Sequence, residues 1–269
     1  MIPSGSEAVA VARQVATEAG ELLQRIRAEG PLSTTLKNGH ELVTSADLRS
    51  DELIRRSLAA RYPAHRIVTE ETWDGWHPGL FDGPVWIADP LDGTVNFAHG
   101  HPYWSVSLAF AVDGEVRAGA VCGPAMGQVF TAVRGGGAWL GDQPVRVGAP
   151  TTLAEALVGT GFPHDRSEVG GSVERIRRLV THCRDVRRMG SPALDICWVA
   201  AGMLDAHCES LAPWDLAAAA LVATEAGALR TAIEPQPFPL PPDLACAGFL
   251  VAAPTIFGDL TALLSGQRP

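Results

Sequence analysis

No two cysteines in this sequence stand at C-x-x-C spacing. The five present, Cys122, Cys183, Cys197, Cys208 and Cys246, are odd in number and scattered. That argues against a disulfide framework or a zinc site and for reduced thiols in a cytoplasmic setting. A surplus of basic charge is also missing, since 21 Lys and Arg face 30 Asp and Glu for a formal net charge of −9. A broad nucleic-acid footprint needs the opposite balance, and so does the basic groove of a polymer-cutting nuclease. Nothing approaches the roughly 18 uncharged apolar residues of a membrane span. Glu7, Arg13, Glu18 and Glu21 break up the segment from Met1 to Gly30, so no signal-peptide core is read there. Internal repeats and low-complexity tracts are absent as well.

What is present is ordinary globular material, 269 residues with 46% apolar and 19% charged content, ample for a large core in one domain or two packed halves. Ala8, Val11, Ala12, Val15, Ala19, Leu22, Leu23 and Ile26 recur at helical spacing, and Gly30-Pro31 ends that run. A second helix is predicted from Asp47 to Arg61, capped by Ser45 or Asp47. Short strands are expected at Arg66 to Thr69 and Val85 to Ala88. Tyr103 to Val112 and Val116 to Cys122 should pair across Asp113-Gly114. Gln128 to Val133 and Val145 to Val147 extend this antiparallel meander, with Gly135-Gly136-Gly137 as a turn. The second half alternates strand and helix: Leu157 to Thr160, Val169 to His182, a strand near Val186, Pro192 to Ala201, Leu204 to Glu209, Trp214 to Ala226 and Phe249 to Ala253. Such alternation suggests α/β layering. Pro235 to Pro242 reads as a surface loop.

Acidic residues cluster at the ends of these elements. Asp89-Pro90-Leu91-Asp92-Gly93-Thr94 follows the apolar run Val85 to Ala88, so a buried strand ends by presenting two carboxylates in a tight turn. Pro90 fixes one φ angle, and Gly93 lets the backbone approach a ligand closely. The Gly93 and Thr94 amides could then face an anion, as at a helix start. Glu70 and Glu71 follow another short strand; seen alone, they read as a solvated loop. Asp47 and Asp215 each read equally well as helix-capping acids. Brought into one cleft, these carboxylates would repel one another and take up protons unless cations neutralised them. Magnesium, with its oxygen ligands, resolves that conflict. Two such ions suit the hydrolysis of phosphate monoesters, among the slowest uncatalysed reactions known.

The chain resembles the inositol monophosphatase family from about Glu7 to Ala253. The resemblance rests on Glu70-Glu71, on Asp89 through Phe97 in the pattern D-P-[IL]-D-G-T-x-N-F, and on Trp214-Asp215 followed by an Ala-rich helix ending in Glu225-Ala226-Gly227. Lys37 and the run Leu42 to Asp47 match upstream. The resemblance implies an α+β, layered αβαβα sandwich of the inositol monophosphatase and fructose-1,6-bisphosphatase type. Residues 1–150 would hold the helices, the antiparallel sheet and the metal site, and 151–269 the substrate pocket. Glu70, Asp89 and the Leu91 carbonyl would hold one magnesium ion. Asp89, Asp92 and Asp215 would hold a second, and a weaker third would be reached through Glu70 and water. Thr94, supported by Asp47, would orient and deprotonate the attacking water, while the Gly93 and Thr94 amides bind phosphate and Lys37 adds positive charge. Homodimerisation and lithium sensitivity are further implications.

For the pocket, the resemblance points to Arg188-Met189-Gly190-Ser191 ahead of a helix, with Asp92 as a further substrate contact. Pro192 stands where the family more often has alanine, which is harmless in a first helical turn. Glu209 matches the glutamate that hydrogen-bonds substrate hydroxyls, although the interval to Asp215 is one residue shorter than usual. A strand-end glutamate facing solvent is the alternative. His99 and His101 tempt a catalytic reading that the family does not need. Trp73 and Trp76 could cover the cleft or pack on the surface. Inositol 1-phosphate or a similar polyol phosphate is the expected substrate, with histidinol phosphate, 3′-phosphoadenosine 5′-phosphate and fructose 1,6-bisphosphate as competitors. A silent regulatory relative would be expected to lack a metal ligand, and none is lacking.

Overall fold

The structure is a computed structural model that describes residues 2–30, 32–37, 41–163 and 169–266, leaving out the side chains of Lys37 and Glu41. Two long helices come first, α1 (Gly5–Glu29) and α2 (Ser45–Arg61), separated by the hairpin β1 (Thr34–Lys37) and β2 (Glu41–Thr44). A seven-stranded sheet follows: β3 (Arg66–Thr69), β4 (Pro84–Asp92), β5 (Ser105–Val112), β6 (Glu115–Gly123), β7 (Gln128–Val133), β8 (Gly137–Leu140) and β9 (Gln143–Pro144), in that spatial order. The short helix α3 (Thr94–His99) interrupts it after β4. The second half contributes β10 (Leu157–Thr160), α4 (Val169–His182), β11 (Asp185–Arg187), α5 (Pro192–Ala200), β12 (Ala206–Glu209), α6 (Pro213–Glu225), β13 (Leu229–Ala232), β14 (Phe249–Ala252) and α7 (Pro254–Leu264). Its sheet runs β11-β10-β12-β14-β13.

Strand alternation assembles these parts into layers. On β4, Trp86 and Ala88 face the helices α1 and α2 in one apolar cluster, whereas Val85 and Ile87 face α5 and α6 in another. The second sheet turns Phe249 and Val251 to that same middle layer, and Val158, Ala206 and Leu250 outward to α4 and α7. The expected αβαβα sandwich is the observed fold. Asp113 (φ 52°) and Gly114 (φ 75°) make the predicted hairpin turn between β5 and β6. Among the described residues, no helix is long and apolar enough to cross a membrane.

Several expectations need correction. Thr44, not Ser45 or Asp47, caps α2: its hydroxyl accepts from the Ala46 amide (3.1 Å), and Asp47 returns the bond by accepting from the Thr44 amide (2.8 Å). Val145 to Val147 form no strand; β8 and β9 end the meander, with Gly137 the first residue of β8 and not part of the turn. The sheet is not wholly antiparallel, since β3 and β4 run parallel. The β1–β2 hairpin, α3, β8, β9, β13 and α7 went unforeseen.

The middle layer is built to unusually close tolerances where α6 crosses β6. A Cβ on Gly119 would lie 2.8 Å from the Ala218 Cα, against backbone that cannot swing aside. Gly119→Ala should therefore lower unfolding stability by about 1–3 kcal/mol, the usual range for overpacking, in urea titrations monitored by tryptophan fluorescence. An unchanged midpoint would mean that α6 can slide on the sheet.

Candidate active site

The parallel register of β3 and β4 pairs Thr69 with Ala88, so the next residues, Glu70 just past the end of β3 and Asp89 within β4, follow as neighbours. Across β5 the register then shifts: Asp89 faces Ser107 and Asp92 faces Ser105, three steps against two. The extra residue is a bulge, which bends the strand and re-aims its side chains. The turn is pinned at several points. The Leu91 amide donates to Asp89 Oδ1 (2.9 Å), and Ser50 of α2 donates to the Pro90 carbonyl (2.7 Å). Asp92 Oδ2 accepts from the Ala193 amide (2.9 Å), from Ser105 (3.2 Å) and from a short contact with Ser191. Gly93 sits at φ 91°, where its hydrogen lets the Gly190 and Tyr103 carbonyls approach; a Cβ would lie 3.0 and 3.2 Å from them.

One cleft of about 470 Å³ gathers Glu70, Asp89, Leu91, Asp92, Gly93, Thr94, Arg188, Gly190, Glu209 and Asp215. Asp47 and Ser191 stand behind that wall, each bonded to a lining residue. Thr94 Oγ1 donates to Asp47 Oδ1 (2.9 Å) and also lies 3.1 Å from the Leu91 carbonyl. Asp47 Oδ2 is held by the Thr44 hydroxyl (2.6 Å). Asp215 caps α6 by accepting from the Ala212 amide (2.8 Å), so its structural and site roles coexist.

The electrostatics follow from burial. Asp89 and Asp92 are only 2% and 4% exposed. Burial pushes the Asp89 carboxyl well above the usual carboxylate range, and the charges of Glu70, Asp92 and Asp215 push it further. Burial takes Asp92 up to about 7, against the hydrogen bonds from Ser191, Ala193 and Ser105. Asp47 is also raised, again by burial first. Among the described lining residues, Arg188 is the one formal cation, and it stacks over Phe162 at 5.9 Å. The acids thus crowd one wall of the cleft.

Other expectations fall away from the cleft. Glu71 is half-buried but does not line it, and His99 and His101 are exposed and do not line it either. Lys37 lies outside the described side chains. Trp73 packs edge-on against Trp214 (5.2 Å), beside Asp215, while Trp76 stacks on Phe238 of the proline-rich loop. The tryptophans therefore buttress the surroundings and do not cover the cleft. Sequence reasoning missed Asn96, whose amide joins the Tyr103 and Met189 carbonyls (2.7 Å each), tying α3 to the Arg188–Gly190 loop. It also missed Asp195, a cleft-lining acid on an otherwise apolar helix, and His207 beside it. The signal for Asp195 was a charged residue amid the buried run of α5.

Comparison with known proteins agrees with this architecture. The model of the inositol monophosphatase family matches residues 5–265. A Pasteurella multocida protein named Nus factor SuhB is 40% identical over 222 residues, covering 81% of this chain and 82% of its own. An inositol-1-monophosphatase of Rhizobium meliloti is 39% identical over 224 residues, with 82% and 84% covered. Among solved structures, the extragenic suppressor protein suhB of Bartonella henselae superposes with a TM-score of 0.84 at 32% identity, over 95% of this chain and 97% of that one. Mycobacterium tuberculosis SuhB gives 0.82 at 34% identity, over 98% of each. With its layers, its turn of paired aspartates and these matches in accord, the chain belongs to the inositol monophosphatase family of phosphoric monoester hydrolases.

Proposed function

We propose that the protein hydrolyses a small polyol or alcohol phosphate, inositol 1-phosphate foremost, by magnesium-dependent attack of water. The carrying observation is the buried pair Asp89 and Asp92, crowded by Glu70 and Asp215 in one cleft. This donor set is all oxygen, which fits magnesium and not a softer metal. Among the described residues, no three acidic, histidine or cysteine side chains close on an ion unaided. Magnesium fills the rest of its shell with water and substrate oxygens, so the carboxylates need not enclose it alone. Glu70, Asp89 and the Leu91 carbonyl would hold one ion, and Asp89, Asp92 and Asp215 a second; Glu70 and water would reach a third. When bound, the ions would shield the phosphate charge, acidify water and stabilise the leaving oxygen.

The chain's own groups supply the proton route. Thr94 donates to Asp47, which turns the threonine oxygen's free lone pairs towards the cleft as an acceptor. As the water oxygen bonds to phosphorus, its proton passes to Thr94 and the threonine proton passes to Asp47. Burial has already raised the proton affinity of Asp47, which favours that transfer. The bond from phosphorus to the alcohol oxygen breaks, and that oxygen takes a proton from solvent. Gly93 and Thr94, at the start of α3, would bind the phosphate through their amides. Gly190, Ser191, Glu209 and Asp92 would frame the alcohol part, with Arg188 at its rim.

Histidinol phosphate, 3′-phosphoadenosine 5′-phosphate and fructose 1,6-bisphosphate remain competing substrates, because the pocket and not the fold selects among them. A regulatory role without hydrolysis draws on the Nus-factor name of the Pasteurella relative. The complete carboxylate set favours the enzyme. Five buried free cysteines suit a reducing, cytoplasmic setting, and we place the active form as a homodimer.

Phosphate release from these four compounds, with magnesium and with chelator, should show magnesium-dependent turnover that strongly favours one. No release from any would shift the reading to the regulatory role. Asp89→Asn should lose roughly 100-fold or more in kcat, the several kcal/mol a Lewis acid supplies. Its metal-free melting temperature should not fall, because one buried like charge is gone; near-native turnover by the folded variant would rule out the shared-ligand assignment. The raised carboxyls of Asp89 and Asp92 favour the protonated folded state. Metal-free stability should therefore be fullest below the ordinary Asp range near 4 and decline as pH rises towards about 7. The magnesium-induced gain in melting temperature should grow between pH 5.5 and 8, since binding displaces those protons. A gain independent of pH would contradict the site.

A further inference from the structure

Strand β12 sends His207 and Glu209 to one face, two residues apart, while Ala206 and Cys208 join the outer core. Opposite them β10 carries Gly159 in register with His207, and Gly161 directly follows the strand. A Cβ on Gly159 would lie 3.0 Å from His207 Nδ1 and 3.2 Å from Asp195 Oδ2. A Cβ on Gly161 would stand 1.9 Å from Glu209 Oε1, a collision. Neither glycine has a positive φ, so the missing side chains serve space and not backbone conformation. The pair of glycines hollows a slot that fits the histidine and the glutamate.

Within that slot a buried chain of groups reaches the cleft wall. Tyr103 donates its hydroxyl to Asp195 Oδ1 (2.7 Å). Asp195 Oδ2 lies 3.2 Å from His207 Nδ1, and His207 Nε2 lies 3.6 Å from Glu209 Oε2. His207 is fully buried, and neither ring nitrogen makes a hydrogen bond of ordinary geometry. Burial opposes a charge on the ring, but Asp195 and Glu209 on its two sides outweigh it and bring its pKa up to about 9. Arg175 is the other cation near this end of the strand, and its guanidinium is occupied with the Gly161 carbonyl (3.0 Å) and Ser172. The hydrolytic chemistry above leaves His207 without a part, yet a fully buried histidine between two acids is costly to keep without one.

We propose that His207 is a positioning residue for substrate selection: anchored by Asp195, it aims the Glu209 carboxylate into the cleft as an acceptor for hydroxyl or ammonium groups on the alcohol part of the substrate. The inference rests on the reading that Glu209 meets that part of the substrate. Glu209 lines the cleft with His207 directly behind it. A ring seated in the glycine slot limits where that carboxylate can lie, so it meets the substrate in one orientation. The site therefore prefers a phosphate monoester whose alcohol bears hydrogen-bond donors over one whose alcohol has none.

Two near-isosteres divide the roles, because asparagine places its amide nitrogen near Nδ1 and glutamine near Nε2. Wild type, His207→Asn, His207→Gln and Gly161→Ala would be assayed with magnesium on inositol 1-phosphate and on phenyl phosphate, which carries no donor. His207→Asn should raise KM for inositol 1-phosphate about tenfold, the loss of one well-aimed hydrogen bond to the substrate, with kcat little changed. His207→Gln, which keeps a donor towards Glu209, should restore most of that loss. Gly161→Ala displaces Glu209 without altering the imidazole and should reproduce the selective KM rise, which covers the case of a His207 variant that fails to fold. All folded variants should treat phenyl phosphate as wild type does. Equal losses on both substrates, or no change on inositol 1-phosphate, would overturn the proposal and leave His207 a purely structural group. Failure of wild type to release phosphate from either compound is a separate outcome, and it would remove the phosphatase reading together with this inference.

Discussion

Repulsion among buried carboxylates at the end of β4 is the constraint on which the rest of the molecule depends. Asp89 and Asp92 are nearly inaccessible, and Glu70 and Asp215 add their charge from either side. Left to itself such a cluster would swell or take up protons, so the surrounding structure must hold it in place by other means. Seven contacts do so within a few residues: the Leu91 amide on Asp89, Ser50 on the Pro90 carbonyl, Thr94 on the Leu91 carbonyl and on Asp47, and Ser105, Ser191 and the Ala193 amide on Asp92. They come from α2, β5, α3 and the start of α5, so three of the five layers converge on one turn. The hydrophobic layers supply the leverage, and the hydrogen bonds supply the aim.

That arrangement explains why α6 packs so tightly. Asp215 sits in the first turn of a helix whose alanine face lies directly on Gly119 of β6. A helix held at backbone contact delivers its first-turn carboxylate with little freedom, and the bond to the Ala212 amide removes more of it. Small residues here convert a packing surface into a positioning device. The same logic recurs on β10 and just past its end, where Gly159 and Gly161 give up side chains so that neighbouring polar groups can occupy the space.

Much of this was legible in the sequence because the signals were local. The run from Val85 to Thr94 announces a buried strand ending in a tight acidic turn, and Asp113-Gly114 announces a hairpin, each within a few adjacent residues. Asp47 and Asp215 were visible as helix-start acids, and in the fold each accepts from the N-cap amide of its helix while Asp215 also lines the cleft and Asp47 bonds Thr94, so the two readings were never exclusive. What escaped was non-local or weakly patterned. The β1–β2 hairpin spans four-residue strands, and α3 begins inside a motif whose glycine reads as a turn. The capping of α2 by Thr44 was missed by one position, since a threonine at a strand end looks like strand. His207 and Asp195 come from different elements, and nothing along the chain links them until β10, β12 and α5 meet.

The two sets of groups divide chemistry from recognition along the layers. The proposed metal ligands and the Thr94–Asp47 pair belong to the first sheet, its covering helix α2 and the one visiting helix α6. The groups proposed to frame the alcohol part, Arg188, Gly190, Ser191 and Glu209, come from the second half, and Asp195 and His207 stand behind Glu209. Only Asp92 belongs to both, holding the start of α5 through Ser191 and Ala193 while facing the cleft. Relatives with the same first-sheet machinery can therefore differ in substrate through changes in the second sheet that leave the acidic turn untouched. The slot formed by Gly159, Gly161, His207 and Glu209 is the change proposed here, one that would bear on which alcohol the cleft accepts without moving any group proposed to handle the phosphate.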